Sequence, residues 1–227
     1  MLAKKKKLSK KEIKEDKLVT TFYEARSFYE ENQTKIVAAL GVIAVIIVAI
    51  ILYTNKMESN SLVASTELSR VLPIYNSGLY QDAIDGKPGT KVLGLVKIVD
   101  EYGGSEQGEL ARIYLANSYY FIGQIDKALN EYDNYSGSDD LMISSALAGK
   151  ASISVIKSDF ESAAELYSKA SKINKFNPSN PEYLLEAGIN YLKIDDFKSA
   201  KLSFEKIKKE YQTSLASREV DRYLAQI

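Results

Sequence analysis

The chain has 227 residues, thirty Lys or Arg against thirty Asp or Glu, and neither histidine nor cysteine. That removes the imidazole that serves as general base or zinc ligand near neutral pH, and the thiolates used as nucleophiles, iron–sulfur ligands, disulfides or bacterial lipid anchors. The charge balance hides an asymmetry, because residues 1–35 hold ten basic against six acidic side chains and residues 36–227 hold twenty against twenty-four.

Residues 1–35 form a basic tail in which Lys4, Lys5, Lys6, Lys7, Lys10, Lys11, Lys14 and Lys17 crowd the start. Leu18, Phe22, Ala25 and Tyr29 recur at spacings of four, three and four, a weak apolar stripe suited to lying on a membrane leaflet. Next comes "IVAALGVIAVIIVAIILY", Ile36–Tyr53, eighteen residues without a charge between Lys35 and Lys56. As a helix it spans roughly 27 Å, close to the roughly 30 Å hydrocarbon core, so 36–54 is expected to be a single transmembrane helix. A cleavable signal core runs only about 7 to 15 residues behind a short basic head, with an A-x-A site that is not evident here. A buried core helix is the other alternative. The lysines hold the N-terminus in the cytoplasm, which exports everything after about residue 55. Beside a span, the lysine run is a topology signal and an anionic-lipid contact rather than a nucleic-acid arm.

Residues 55–108 are expected to hold linker helices and a degenerate first repeat. "LVASTELSRVLPIYNSG" supplies a helix that Pro73 kinks or ends. Tyr80 and Ala83 open its partner, "DGKPGT" at 85–90 interrupts it, and "KVLGLVKIVDEY" resumes.

Over 109–213 the pattern repeats. Aligned on Ile125, Phe160 and Phe197, three positions on stand Ala128, Ala163 and Ala200, and seven on stand Tyr132, Tyr167 and Phe204. Ten on stand Tyr135, Ala170 and Ile207, and nine positions before come the small residues Ala116, Ala151 and Gly188. The origins lie 35 and 37 residues apart. This resembles the tetratricopeptide repeat, whose period is about 34 residues. The residues support that resemblance independently: small side chains let two helices approach, larger ones at three-and-four spacing fill the seam, and hairpins unable to bury an apolar face alone must stack. Phe197, Ala200, Phe204 and Ile207 are thus expected to be buried in the seam. Asp159 is expected to cap the helix opened by Phe160, Gly123 to sit in an interhelical turn, and Asn180 to cap a helix with Pro181 at its first position. "SLASREVDRYLAQI", 214–227, is expected to be a capping helix with Leu215, Val220 and Leu224 facing inward. No stretch shows sustained strand alternation. The expected fold is all-α: a transmembrane helix followed by a tetratricopeptide-repeat α-solenoid of antiparallel helix pairs.

The order of basic tail, span and repeats, with "VLGLVKIVDEYGGSEQGELARIYLANSYYFIGQIDKAL" and "KIKKEYQTSLASREVDRYL", is similar to a bacterial family of single-span proteins. They serve as ancillary Sec-translocon subunits or cell-division coordinators. The resemblance implies translocon association or envelope chaperoning, with a protein-binding groove on the periplasmic side of the cytoplasmic membrane; a span joined to repeats without a catalytic set leads us to expect a non-enzymatic scaffold with no cofactor or metal. Implied partners are cell-envelope proteins or peptides such as Sec translocon subunits or periplasmic chaperones, or else components of division or outer-membrane assembly, with no nucleic acid. Groove positions carried over from the family fall on Ile113, Asn117, Tyr120 and Phe121, then Ser152, Val155 and Ile156, then Leu185, Ile189 and Leu192. The aliphatic members of that set are equally suited to interhelical core. The lysine-rich clamp that grips acidic C-termini in related domains is missing, since Ile113, Glu182 and Glu186 occupy its cationic positions.

No catalytic set emerges. The pairs Asp100 and Glu101, Asp139 and Asp140, and Asp195 and Asp196 fall at expected helix ends, where carboxylates cap, and adjacent acids cannot face each other across a glycosidic bond. "EYGGSEQG" lacks the lysine and the preceding strand of a phosphate loop. Lys150 and Ser152, two apart on a helix, point in different directions, which leaves a Ser/Lys hydrolase a remote alternative.

Overall fold

The computed structural model of the chain describes residues 10–227, with side chains described at Lys17 and from Val19 onward. Lys4, Lys5, Lys6 and Lys7 of the expected basic tail lie outside the described residues. Among the described residues ten helices follow in order: α1 Lys10–Asn76, α2 Tyr80–Asp85, α3 Leu95–Tyr102, α4 Glu106–Phe121, α5 Ile125–Asp133, α6 Asp140–Ile156, α7 Phe160–Ile173, α8 Asn180–Lys193, α9 Phe197–Glu210 and α10 Leu215–Leu224. No strand occurs among the described residues; an isolated bridge between Gly86 and Leu93 closes the loop that holds "DGKPGT". The chain divides into two units, residues up to Asn55 and Lys56–Ile227.

In the first unit, the charge-free run lies within α1, and no residue from Ile36 to Tyr53 is buried. The helix is long and apolar enough to cross a membrane by length and composition, a test that a signal sequence also passes.

The second unit opens with the C-terminal part of α1, where Ala64, Leu68 and Val71 recur at four and three and are buried in a core shared with residues of α2 to α6. Pro73 falls in the last turn, and Gly78 with a φ of 75° completes the exit. From α3 onward each helix packs against the next, and α4 also meets α6. Their buried side chains form three successive cores: one from α1 to α6, one among α6, α7 and α8, and one among α8, α9 and α10.

One turn recurs three times. Gly123, Ser158 and Asp195 adopt φ values of 79°, 60° and 59° between α4 and α5, α6 and α7, and α8 and α9. In each, the following N–H reaches back to a carbonyl five residues earlier: Gln124 to Tyr119 at 2.8 Å, Asp159 to Ser154 at 2.9 Å, and Asp196 to Tyr191 at 3.0 Å. This is the Schellman arrangement, which satisfies carbonyls left open at a helix end. The seam follows the alignment: Ala116, Ala151, Ala128, Ala163 and Ala200 are fully buried, with Tyr132, Tyr167 and Phe204 packed beside them. Gly188 is glycine because Phe204 lies against it; a Cβ there would enter the Phe204 ring.

Three expectations need correction. Phe197 opens α9 at 47% exposure, so only Ala200, Phe204 and Ile207 of that quartet are buried; it stands in the first turn, ahead of the positions that pack in the core. Asn180 does not cap α8. Ser179 holds the cap position without a side-chain hydrogen bond, while buried Asn180 donates to the Asn174 carbonyl at 2.8 Å and the Tyr211 hydroxyl at 3.3 Å. Leu215 is also exposed, and α10 packs through Ala216, Ser217 and Val220. Asp159 and Ser214 do cap α7 and α10, accepting from Ser162 N–H at 3.1 Å and Ser217 N–H at 3.1 Å.

Candidate functional site

The register of the repeat places chemically paired positions across each hairpin. Eight residues before each origin stand Asn117, Ser152 and Ile189, and seven after stand Tyr132, Tyr167 and Phe204. Tyr132 donates its hydroxyl proton to Asn117 Oδ1 at 2.5 Å. Ser152 and Tyr167 join through their hydroxyls at 2.7 Å, and Ser152 also bonds the Ala148 carbonyl at 3.0 Å. Ile189 and Phe204 replace the polar bridge by apolar packing in the last core. Two hairpins thus carry tethered polar groups at their seams and the third does not.

The two tethers border a cavity of about 320 Å³ where α4, α6 and α8 converge over α5 and α7. Its aromatic wall consists of Tyr120, Phe121, Tyr132, Tyr167 and Tyr183, with Glu186 the one charged residue of the lining. Gly149 contributes bare backbone, because a Cβ there would collide with the Tyr132 ring. The aromatic surface continues outward: Phe121 stacks on Tyr80 at 4.6 Å between centroids, Tyr80 meets Tyr75 edge-on at 5.4 Å, and Tyr75 meets Tyr114 at 5.0 Å. Offset and edge-on pairs of this kind hold rings in place.

Burial pushes the Tyr132 hydroxyl well above the ordinary tyrosine pKa, and neighbouring Tyr75, Tyr120 and Tyr167 add to it. Tyr167 and Tyr183 are raised by burial as well, partly offset by Ser152 and by Ser179 and Asn177 respectively. All three stay neutral near pH 7. Burial also raises the Glu186 carboxyl, while Lys193 lowers it and Glu219 raises it further.

Of the residues selected by sequence, Asn117, Tyr120, Phe121 and Ser152 come together in this lining. Ile113 and Leu185 are buried in the first and last cores. Ile189 and Leu192 pack against the last core, Val155 packs on the core of α6, α7 and α8, and Ile156 is exposed at the end of α6. Glu186, which the family resemblance places at a clamp position, lies in the lining, and Tyr183, Ser145, Ala148 and Gly149 join it although the sequence did not select them. The registers of Tyr183 and Glu186 hold Ala111 and Ala146, and Tyr114 and Gly149, in the other hairpins, so no repeated residue type marks them.

A larger cavity of about 620 Å³ lies beside "GGSEQGEL" and the α5–α6 loop. Its buried acid is occupied. Glu109 accepts from Gly104 N–H at 3.0 Å, Ser136 N–H at 2.7 Å and Arg112 Nε at 3.3 Å, and Arg112 continues to Glu131 at 2.9 Å. The group therefore ties two loops together. Lys150 and Ser152 engage separate partners, Lys150 pairing with Asp133 at 2.8 Å. Asp139 and Asp196 cap α6 and α9 through Leu141, Met142 and Ser199 N–H groups. No cluster of three metal-ligating side chains occurs among the described residues.

No protein-family model matches the chain, and neither a curated protein nor a solved structure matches it.

Proposed function

We propose that the chain is a membrane-anchored, tetratricopeptide-type scaffold that presents the aromatic groove to polypeptides of the bacterial envelope. The observation that carries this reading is the groove itself: rings and hydrogen-bonding side chains set at equivalent positions of successive hairpins, open to solvent beside Phe121 at 55% exposure. Clustered aromatic side chains with tethered polar neighbours are the composition of protein-docking surfaces, where rigid rings contribute area at low entropic cost. The recurring turn and the repeated seam support a tetratricopeptide-type stack, and the exposed apolar run of α1 supports the anchor. In this reading the N-terminus is cytoplasmic, Lys56–Ile227 is periplasmic, and the clients are Sec translocon subunits or periplasmic chaperones.

A photo-crosslinking residue placed at Asn117 or Tyr120 in cells tests the proposal. Capture of a defined envelope protein is expected, and no capture from either position would count decisively against it. Co-purification in mild detergent then separates the alternatives, since translocon subunits support a translocon-associated scaffold, whereas division or outer-membrane assembly components replace it with a coordinator of those machines.

A further inference from the structure

The polarity of the groove specifies what it holds. The hydroxyl protons of the two tethers are already committed: Tyr132 donates to Asn117 Oδ1, and with Ser152 donating to the Ala148 carbonyl, Tyr167 donates to Ser152. What the tethered Tyr132, Tyr167 and Ser152 hydroxyls offer a ligand is oxygen lone pairs. The rings of Tyr120, Phe121 and Tyr183 add aromatic surface, and Glu186 adds the lining's single formal charge. Among the described residues no cation closes an ion pair on Glu186. The basic side chain whose charge reaches it, Lys193, is seated over the Phe160 ring at 4.4 Å instead, and Glu219 of α10 adds negative charge.

We propose that the groove recognises a basic side chain, arginine or lysine, of the polypeptide docked in it, with the cation held between the ring faces and the Glu186 carboxylate. The proposal rests on the groove being a protein-binding surface. A cavity of about 320 Å³ accommodates either side chain. A guanidinium suits it well, because its five N–H donors match the lone pairs of the Tyr132, Tyr167 and Ser152 hydroxyls and the Glu186 carboxylate, and its plane stacks on aromatic rings. Such a site has the opposite polarity to a clamp for acidic C-termini.

The test uses the full chain in nanodiscs of zwitterionic lipid and fluorescein-labelled nonapeptides that differ only at the central residue: Arg, Lys, the neutral isostere citrulline, or Glu. Fluorescence anisotropy is expected to show the Arg and Lys peptides binding about tenfold more tightly than citrulline, with Glu weakest. In Glu186→Gln that preference should fall to about twofold or less while binding persists. Lys193→Gln, which removes the opposing charge without touching the lining, should widen it. Equal affinity for Arg and citrulline peptides in the unaltered protein overturns the proposal, as does a preference that survives Glu186→Gln. If all four peptides bind alike and Phe121→Ala weakens them alike, the cation site is refuted and the groove stands. If none binds, both fall.

Discussion

Tyr132 and Asn117 close a 2.5 Å hydrogen bond across the α4–α5 hairpin, and Ser152 and Tyr167 close its counterpart at 2.7 Å across α6 and α7. The bridge fixes the angle at which each second helix presents its ring to the groove. Removing the hydroxyl by Tyr132→Phe should cost about 1 kcal/mol, and Asn117→Ala somewhat more, since it leaves a mostly buried hydroxyl unpaired. In a double-mutant cycle by urea unfolding the two should couple by about 0.5 kcal/mol or more. Additive losses would show that the bridge does not organise the hairpin.

The glycine at 188 is set by a neighbour. Gly188→Ala drives a methyl group into the Phe204 ring, which has no exposed surface through which to retreat, and should destabilise by about 1 to 3 kcal/mol. Ser158→Gly should act in the opposite direction, because Ser158 holds a left-handed φ of 60° that glycine adopts without a Cβ penalty. Thermal melts of the two variants should therefore move apart from the parent.

Glu109 joins the turn before α4 to the loop after α5, and its side chain is 4% exposed. Glu109→Ala strands two backbone N–H groups and half of the Arg112 fork, for an expected loss of about 3 kcal/mol or more. Glu109→Gln, which keeps one acceptor oxygen, should lose less. Equal stability of Glu109→Ala and the parent in denaturant titration would refute the tie.

Stability should respond to acid in two opposite ways. Hydrogen bonds from the Ser162 and Ser199 side chains and N–H groups hold Asp159 and Asp196 below the ordinary 3.8. Their contribution is present above 3.8 and is lost as pH falls through the depressed values. Glu186 runs the other way. Burial lifts it above 4.5, with Lys193 opposing and Glu219 assisting, so the native state holds the proton longer and stability declines as pH rises from 4.5 through the raised value. Asp159→Ala should therefore melt lower than the parent at pH 7 and converge with it in strong acid. Glu186→Gln should melt higher at pH 7 and match the parent below 4.5.

Topology is read with a reporter that is active only outside the cytoplasm. Fused after Ile227 it should be active, and fused within residues 1–35 inactive. The reverse pattern would invert the proposed orientation.

The helical scaffold was legible because its signals are local or periodic. The charge-free stretch 36–53, the alanines at 128, 163 and 200, and the cap at Asp159 each follow from spacing and side-chain chemistry alone. Helix ends were less so: Asn180 has the chemistry of a cap, yet burial against Tyr211, thirty-one residues away, fixed it inside α8. Exposure at first turns escaped likewise, since Phe197 has the seam residue type but not the seam depth.

The sequence by itself determined that helices form, where three hairpins turn, and that Asn117 and Ser152 stand at one register of successive hairpins, opposite Tyr132 and Tyr167. Periodicity propagates such information without reference to distant contacts. Only the tertiary structure decided that Tyr183, at a register that repeats no residue type, completes the same cavity beside Glu186, and that Ile113 and Leu185 belong to cores. A groove is a property of side chains from several hairpins meeting at one place, and its charge is set by a single residue that no repeat encodes.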